Sequence, residues 1–287
     1  MTGIALPKPS TSRIETVTLR ALDPNALAAF YANIVGLERI KGSEDETDLG
    51  VSGQVHLRIL PATHSQPASK TAGLFHTAFL LPDRRALASW VQMAIERQIP
   101  LEGASDHAIS EAVYLTDPEG NGVEIYADRP SAEWKRDGKS IHITSEALDL
   151  PALIGMTDIP KWTGMPAGSI IGHVHLSVTS LANAETFYVD GLEMDVTARY
   201  NGAAFLSWEG YHHHIAINTW GHRGVPTRAQ GAPGLDEIVL TRLSDGSGQG
   251  DGSESEIDPS TGVRVTVQTR PYDASLQSPR AATSAAM

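Results

Sequence analysis

The sequence predicts an α+β protein of tandem β-α-β-β-β modules, curled into two half-barrel cups, with the fourth module truncated. One pattern of strand, polar turn and amphipathic helix recurs three times along the chain. Each copy runs on into further alternating strands, and the last is interrupted by a Gly/Ser/Asp stretch where a helix would be due.

Placing the segment from Ile14 over that from Ile171 puts Leu19 on Leu176 and Ala26 on Asn183. Phe30-Tyr31 then falls on Phe187-Tyr188 and, after a short deletion, Gly36-Leu37-Glu38 on Gly191-Leu192-Glu193. Placing the segment from His76 over that from Thr16 matches Asp83 with Asp23, Ala86-Leu87 with Ala26-Leu27, and Trp90 with Phe30. Unit one continues to GQVHLRILPA, where Val55, Leu57 and Ile59 alternate with His56, Arg58 and Leu60. Unit two ends in EAVYLTDPEGNGVEIYADRP, two strands about an Asp-Pro and Asn-Gly turn, and unit three in AAFLSWEGYHHHIAINTW. A fourth unit starts at GLDEIVLTRL and finishes at GVRVTVQ, with SDGSGQGDGSESEIDPST between them read as loop or disorder.

These limits give an N-terminal half over 1–130 and a linker over 131–169 with one short helix near LDLPALIGM. A C-terminal half follows over 170–270, then a loose tail over 271–287. By themselves, such repeats also fit a ligand-binding or purely structural scaffold.

With no cysteine, the chain has no disulfide, thiolate ligand or cysteine nucleophile, so any metal must sit on His, Asp or Glu. A net charge of -12 argues against a nucleic-acid partner, which needs concentrated Lys and Arg. No apolar run approaches the ~20 residues of a membrane span. The N-terminal MTGIALPKPSTSR has no apolar stretch of the secretory kind, so the expected location is the cytoplasm.

In the repeat, Thr16, His76 and His173 share one position near the start of each first strand. His56, Glu124 and His214, each following its unit's final turn, are read as a second shared position. Only in units two and three is every slot filled by a potential ligand: His76, Glu124, His173 and His214. A single strand histidine is usually an ordinary hydrogen-bonded polar residue, so it is the constellation that points to a metal. Two imidazoles and one carboxylate with open positions suit Fe(II) first, and Mn(II), Zn(II) or Ni(II) are compatible. In YHHHI, alternation lets His212 and His214 point inward together, with His213 outward. Tyr126 shares the face of Glu124 and is expected to hydrogen bond a substrate oxygen; Asn218, Trp208 and Trp220 are candidates for the pocket wall, and His175 for a partner behind His173. His107, His142 and His222 fall in no repeat slot.

The stretches IETVTLRALD with FYANIVGLE, LFHTAFLLP, TDPEGNGVEIYADRP with EWKRDGK, ALDLPALI, GHVHLSV with FYVDGLE, and YHHHIAINTW resemble the glyoxalase/bleomycin-resistance/extradiol-dioxygenase (vicinal oxygen chelate) superfamily. Within it they are similar to the two-half, catechol-2,3-dioxygenase-like members. The resemblance implies paired modules around a metal on His76, Glu124 and His173, with His214 as fourth ligand or acid/base group. It also implies extradiol cleavage of a catechol-like aromatic diol with O2, and His212 or His214 as the base for the phenol proton. Other members carry a non-redox lyase or isomerase reaction or a metal-free binding or resistance role, and a homo-oligomer is left open. A lyase of this kind often carries two carboxylates, and here only Glu124 is acidic.

Overall fold

The structure, a computed structural model, describes residues 12–43, 45–64, 71–221, 223–244 and 252–271. Unit one comprises β1 (Arg13–Ala21), α1 (Pro24–Phe30) prolonged by a π-helical turn (Tyr31–Val35), β2 (Glu38–Gly42), β3 (Thr47–Val51) and β4 (Gln54–Pro61). Unit two repeats this order as β5 (Gly73–Leu81), α2 (Arg84–Glu96), β6 (Gly103–Asp106), β7 (Ser110–Thr116) and β8 (Gly122–Asp128). The linker contributes three two-residue strands, β9 (Arg136–Asp137), β10 (Ser140–Ile141) and β11 (Glu146–Ala147), and α3 (Leu150–Ile154), which lies where a short helix was expected. Unit three is β12 (Ile170–Ser177), α4 (Leu181–Glu185) with a π-helical extension (Thr186–Gly191), β13 (Asp195–Tyr200), β14 (Ala203–Ser207) and β15 (Ile215–Asn218). Unit four is β16 (Gly234–Ser244), β17 (Gly252–Ile257) and β18 (Arg264–Pro271), with no helix among the described residues.

The recurrent polar turn is a helix cap. Asp23 accepts the Ala26 N–H at 3.0 Å, Asp83 that of Ala86 at 2.8 Å, and Ser180 that of Asn183 at 3.4 Å, each satisfying a donor the first helical turn leaves open. At the other end Gly36 adopts φ +97°, and a Cβ there would lie 2.7 Å from the Trp162 ring, so the linker packs where only glycine fits.

In each complete unit the strands run in the order first, last, third, second, with first and last parallel. Two units then join through their first strands. β5 pairs with β12 in a nine-stranded sheet ordered β11-β6-β7-β8-β5-β12-β15-β14-β13, and β1 pairs with β16 in a seven-stranded sheet ordered β17-β18-β16-β1-β4-β3-β2. Units two and three therefore form one curled sheet and units one and four the other. One face of each sheet packs against helices, with Val17, Leu57 and Tyr31 in the first half and Phe79, Ile125 and Trp90 in the second all buried in a common core.

The reading of 244–261 as loop or disorder is corrected in part, since Gly252–Ile257 is the antiparallel edge strand β17. All six of its residues are exposed, so no apolar alternation could disclose it. Ser244 ends β16, 258–261 form the turn after β17, and 245–251 lie outside the described residues, as do His222 and the tail beyond Pro271.

A second repeated device ties the units together. The Tyr31 hydroxyl donates to Asp117 at 3.0 Å, and Tyr188 donates to Asp258 at 3.1 Å. Asp117 and Asp258 are the acids of two Asp-Pro turns, and both are buried. Asp117 also accepts from the Asn121 backbone and side chain at 2.9 Å, and Asp258 from Ser260 and Thr261. Each π-helical tyrosine thus reaches the last turn of the following unit. Tyr31→Phe and Tyr188→Phe are each expected to cost about 1–3 kcal/mol, because a buried carboxylate loses a donor. Urea unfolding of each variant measures this, and an unchanged midpoint would show the bond to be dispensable.

Candidate metal centre

The ladder between β5 and β12 places His175 opposite His76 and His173 opposite Ala78. These pairs are related by a local two-fold, which makes His76 and His173 equivalent, as the sequence repeat has them. Beside β5, the parallel β8 sets Glu124 next to Ala78. Paired residues in a sheet point to the same face, so His76, Glu124 and His173 converge on the concave side.

There the Glu124 Oε2 lies 2.9 Å from His76 Nε2 and 3.3 Å from His173 Nε2. One donor atom from each of the three lies within 4.8 Å of the others, and all three residues are buried. His76 Nε2 makes no aligned hydrogen bond despite its short distance to the carboxylate, and His173 Nδ1 has no partner either. A buried nitrogen lone pair aimed at a buried carboxylate is costly until a cation sits between them. The donor set therefore fits a divalent ion. Burial pushes His173 down to about 4, so its imidazole is neutral near pH 7. Burial alone would raise Glu124, but the facing His173 and His76 outweigh it and hold the carboxyl well below its usual range. Neutral imidazoles and an ionised carboxylate are the protonation states that metal binding requires.

Ladder register also explains why the fourth position is empty of donors. Thr77 pairs with Val123 and Val174 with Ile215, so the counterpart of Glu124 in unit three is Ala216, beside His175. In unit one that counterpart is Arg58, beside Thr18 and ion-paired to Asp48 at 2.8 Å, which makes the second cup unfit for a cation.

Around the cluster the His175 ring stands edge-on to His76 at 4.9 Å, and the Asn218 amide donates to its Nε2 at 2.9 Å. Phe75 and Trp220, both partly exposed, stack against His175 at the rim. The hydroxyl of Tyr114, beside Glu124 in the β7–β8 ladder, lies 2.7 Å from His107 Nε2, while His107 Nδ1 donates to the Thr144 carbonyl at 2.6 Å. Burial, and then the Glu124 charge, keeps the Tyr114 phenol protonated.

The chain is 40% identical over 230 residues to the catechol-2,3-dioxygenase of Bacillus subtilis (strain 168), an alignment covering 78% of this chain and 80% of the relative. Residues 13–125 match the family model described as Glyoxalase/Bleomycin resistance protein/Dioxygenase superfamily. The chain belongs to that superfamily. Among solved structures it is similar in fold to a candidate dioxygenase from Bacillus subtilis subsp. subtilis str. 168, with TM-score 0.58 and 14% identity over 91% of this chain and 86% of that one. It is likewise similar to glyoxalase I from Zea mays, with TM-score 0.52 and 13% identity over 90% and 92%.

Several expectations change in this superfamily member. His214 does not join the cluster: its Nε2 meets the Ser12 carbonyl at 3.0 Å and its Nδ1 the Ser207 hydroxyl at 3.1 Å. The register shows why, because His214 and His56 stand two residues before Ala216 and Arg58, the counterparts of Glu124, rather than level with it. The parity expected of the YHHHI run is also reversed. His213 packs on the His173 ring at 4.1 Å between centroids, whereas His212 is turned to Asp128 at 2.9 Å. The run precedes β15 and lies in a loop, where strand alternation does not apply. Tyr126 does line the cup, 4.9 Å from the His173 ring, but its hydroxyl is engaged with Tyr211 at 3.0 Å and not directed at the cluster. A Cβ on Gly172 would lie 1.7 Å from that hydroxyl, so this glycine leaves the space for Tyr126. Trp208 packs into the core with its indole N–H on the Leu192 carbonyl, away from the cup. Tyr114 and His107 carry no repeat signal; only the fold brings the linker carbonyl of Thr144 to His107.

Replacing His76 or Glu124 with Ala should abolish retention of stoichiometric metal after gel filtration, read by elemental analysis. Retention in both variants would refute the ligand assignment. Burial also holds His214 down to about 3, against an ordinary value of 6.5. Below pH 6.5 the unfolded chain takes up protons that native His173 and His214 refuse until about 4 and about 3. The metal-free protein should therefore lose stability steadily as pH falls from about 6.5 toward 4, and a flat urea midpoint across that window would contradict it.

Proposed function

We propose that this chain is an extradiol-type ring-cleaving dioxygenase for a catechol-like aromatic diol, using Fe(II) on His76, Glu124 and His173. The observation that carries this reading is a buried two-histidine, one-carboxylate cluster in a chain 40% identical to a catechol-2,3-dioxygenase. When bound, such an ion supplies Lewis-acid acidification of the diol and a redox-active centre for reaction with O2.

The chain's own residues supply the rest. His213, and not His212 or His214, is the imidazole on the concave side against His173, which makes its ring the acceptor for a diol proton. His107 holds the Tyr114 hydroxyl, and Tyr114 stands beside Glu124 in the ladder, bounding one arm of the cluster. Phe205, 4.9 Å from the His213 ring, borders both the cup and a cavity of about 640 Å³ that lies between the linker hairpin β9–β10 and strands β13–β14. Ile143, Val196 and Ala198 give that cavity apolar wall beside Phe205, and Lys135, Arg136 and Arg199 give it charge. Phe75 and Trp220 close the rim above His175 and limit water at the cluster.

Protein reconstituted anaerobically with Fe(II), mixed with a panel of catechols and exposed to air, is expected to give yellow ring-opened products. A fully loaded site that yields no colour with any catechol would refute the reading. In the same assay His213→Ala should lower kcat by roughly 10²- to 10⁴-fold, the usual contribution of a positioned base.

A further inference from the structure

Asp128, His212 and His213 form a hydrogen-bonded row across the seam between units two and three. Asp128 closes β8, and the two histidines lie in the loop between β14 and β15. Asp128 Oδ1 lies 2.9 Å from His212 Nε2, and His212 Nδ1 lies 2.7 Å from His213 Nδ1. On its other side Asp128 Oδ2 accepts from the Tyr211 hydroxyl at 3.0 Å, and Tyr211 is itself 3.0 Å from the Tyr126 hydroxyl. Tyr211 stacks on His212 at 4.0 Å and Trp134 stands edge-on to it at 5.2 Å, so the row is fixed in place; His212 is fully buried.

Elementary hydrogen-bond accounting sets the protons. A carboxylate only accepts, so His212 must present Nε2–H to Asp128. With His212 as a neutral imidazole, its one N–H is spent on Asp128 and its Nδ1 is a bare lone pair. The contact between the two Nδ1 atoms then needs a proton from His213, which is left with Nδ1–H and a bare Nε2. Among the described residues nothing hydrogen bonds that Nε2, and the ring lies against His173 and Phe205 on the concave side.

We infer that Asp128 and His212 are positioning residues that fix the tautomer of His213, so that its Nε2 faces the cup as a lone pair. This rests on the proposed ring cleavage only for its consequence in catalysis; the tautomer itself follows from the row of bonds between neutral imidazoles. Asp128→Asn tests the chain of dependence. Two donors, the His212 N–H and the Tyr211 hydroxyl, meet the acid, and an amide brings a donor where one acceptor was. His212 then turns its proton to Nδ1, donates to His213, and drives the His213 proton to Nε2.

The experiment is nitrogen-15 NMR of histidine-labelled, Zn(II)-loaded protein, with the His213 signals assigned by their loss in His213→Gln. Wild type is expected to show His213 protonated at Nδ1 and bare at Nε2, and Asp128→Asn the reverse. In Fe(II)-loaded protein the same variant should lose roughly 10²- to 10⁴-fold in kcat with KM little changed. A wild-type His213 that carries its proton on Nε2 overturns the inference, whatever the variant does. So does an Asp128→Asn protein that keeps the wild-type tautomer and kcat. If the tautomers behave as expected but no diol is cleaved by any form, the inference stands and the ring-cleavage reading fails.

Discussion

The antiparallel ladder between β5 and β12 is the constraint on which the rest depends. With His76 opposite His175 and His173 opposite Ala78, a local two-fold brings two imidazoles from different units onto one face. Side chains alternate with a period of two, so a slip by one residue would turn both rings into the helix-packed core. The third member follows from the same ladder: β8 is bonded to β5, and that register sets Glu124 beside Ala78. Small residues at Ala78 and Ala216 stand beside these groups, and the bare backbone at Gly172 leaves room for Tyr126.

The cluster is costly to the protein that carries it. A carboxylate and two imidazoles are removed from water, and two ring nitrogens are left without partners. Unsatisfied buried groups of this sort cost on the order of 1–3 kcal/mol each. A cation that binds only the folded chain recovers that cost, so the groups that weaken the empty protein are those that favour metal binding. The surrounding residues defend the arrangement in the same terms: His107 holds Tyr114 beside the carboxylate, Asn218 holds His175, and Asp128 holds His212.

Asymmetry between the two cups has an equally local origin. Both sheets share strand order, and both are locked by a tyrosine reaching the following unit's Asp-Pro turn. Yet Arg58 occupies the place of Glu124 in unit one, and its ion pair with Asp48 fills the second cup with opposed charges. Unit four, reduced to three strands among the described residues, still completes that sheet, because closure needs its first strand beside β1 and its turn beneath Tyr188. With no helix among its described residues, unit four leaves the centre in units two and three undisturbed.

The sequence by itself disclosed the module, its repetition and three residues that the fold gathers into one buried cluster. Helix caps, alternating strands and Asp-Pro turns are local signals, and the repeat made His76 and His173 equivalent before any coordinates. Edge strand β17 stayed hidden because an exposed polar strand carries no apolar alternation, its order coming from bonds to β18. Tertiary structure alone decided the histidine run. Which of three adjacent rings meets His173 is set by Asp128 drawing His212 and by Ser12 and Ser207 drawing His214, contacts between residues far apart in the chain. That leaves His213 in the cup, and no periodicity could have assigned it there, because a loop's side chains go where their partners are.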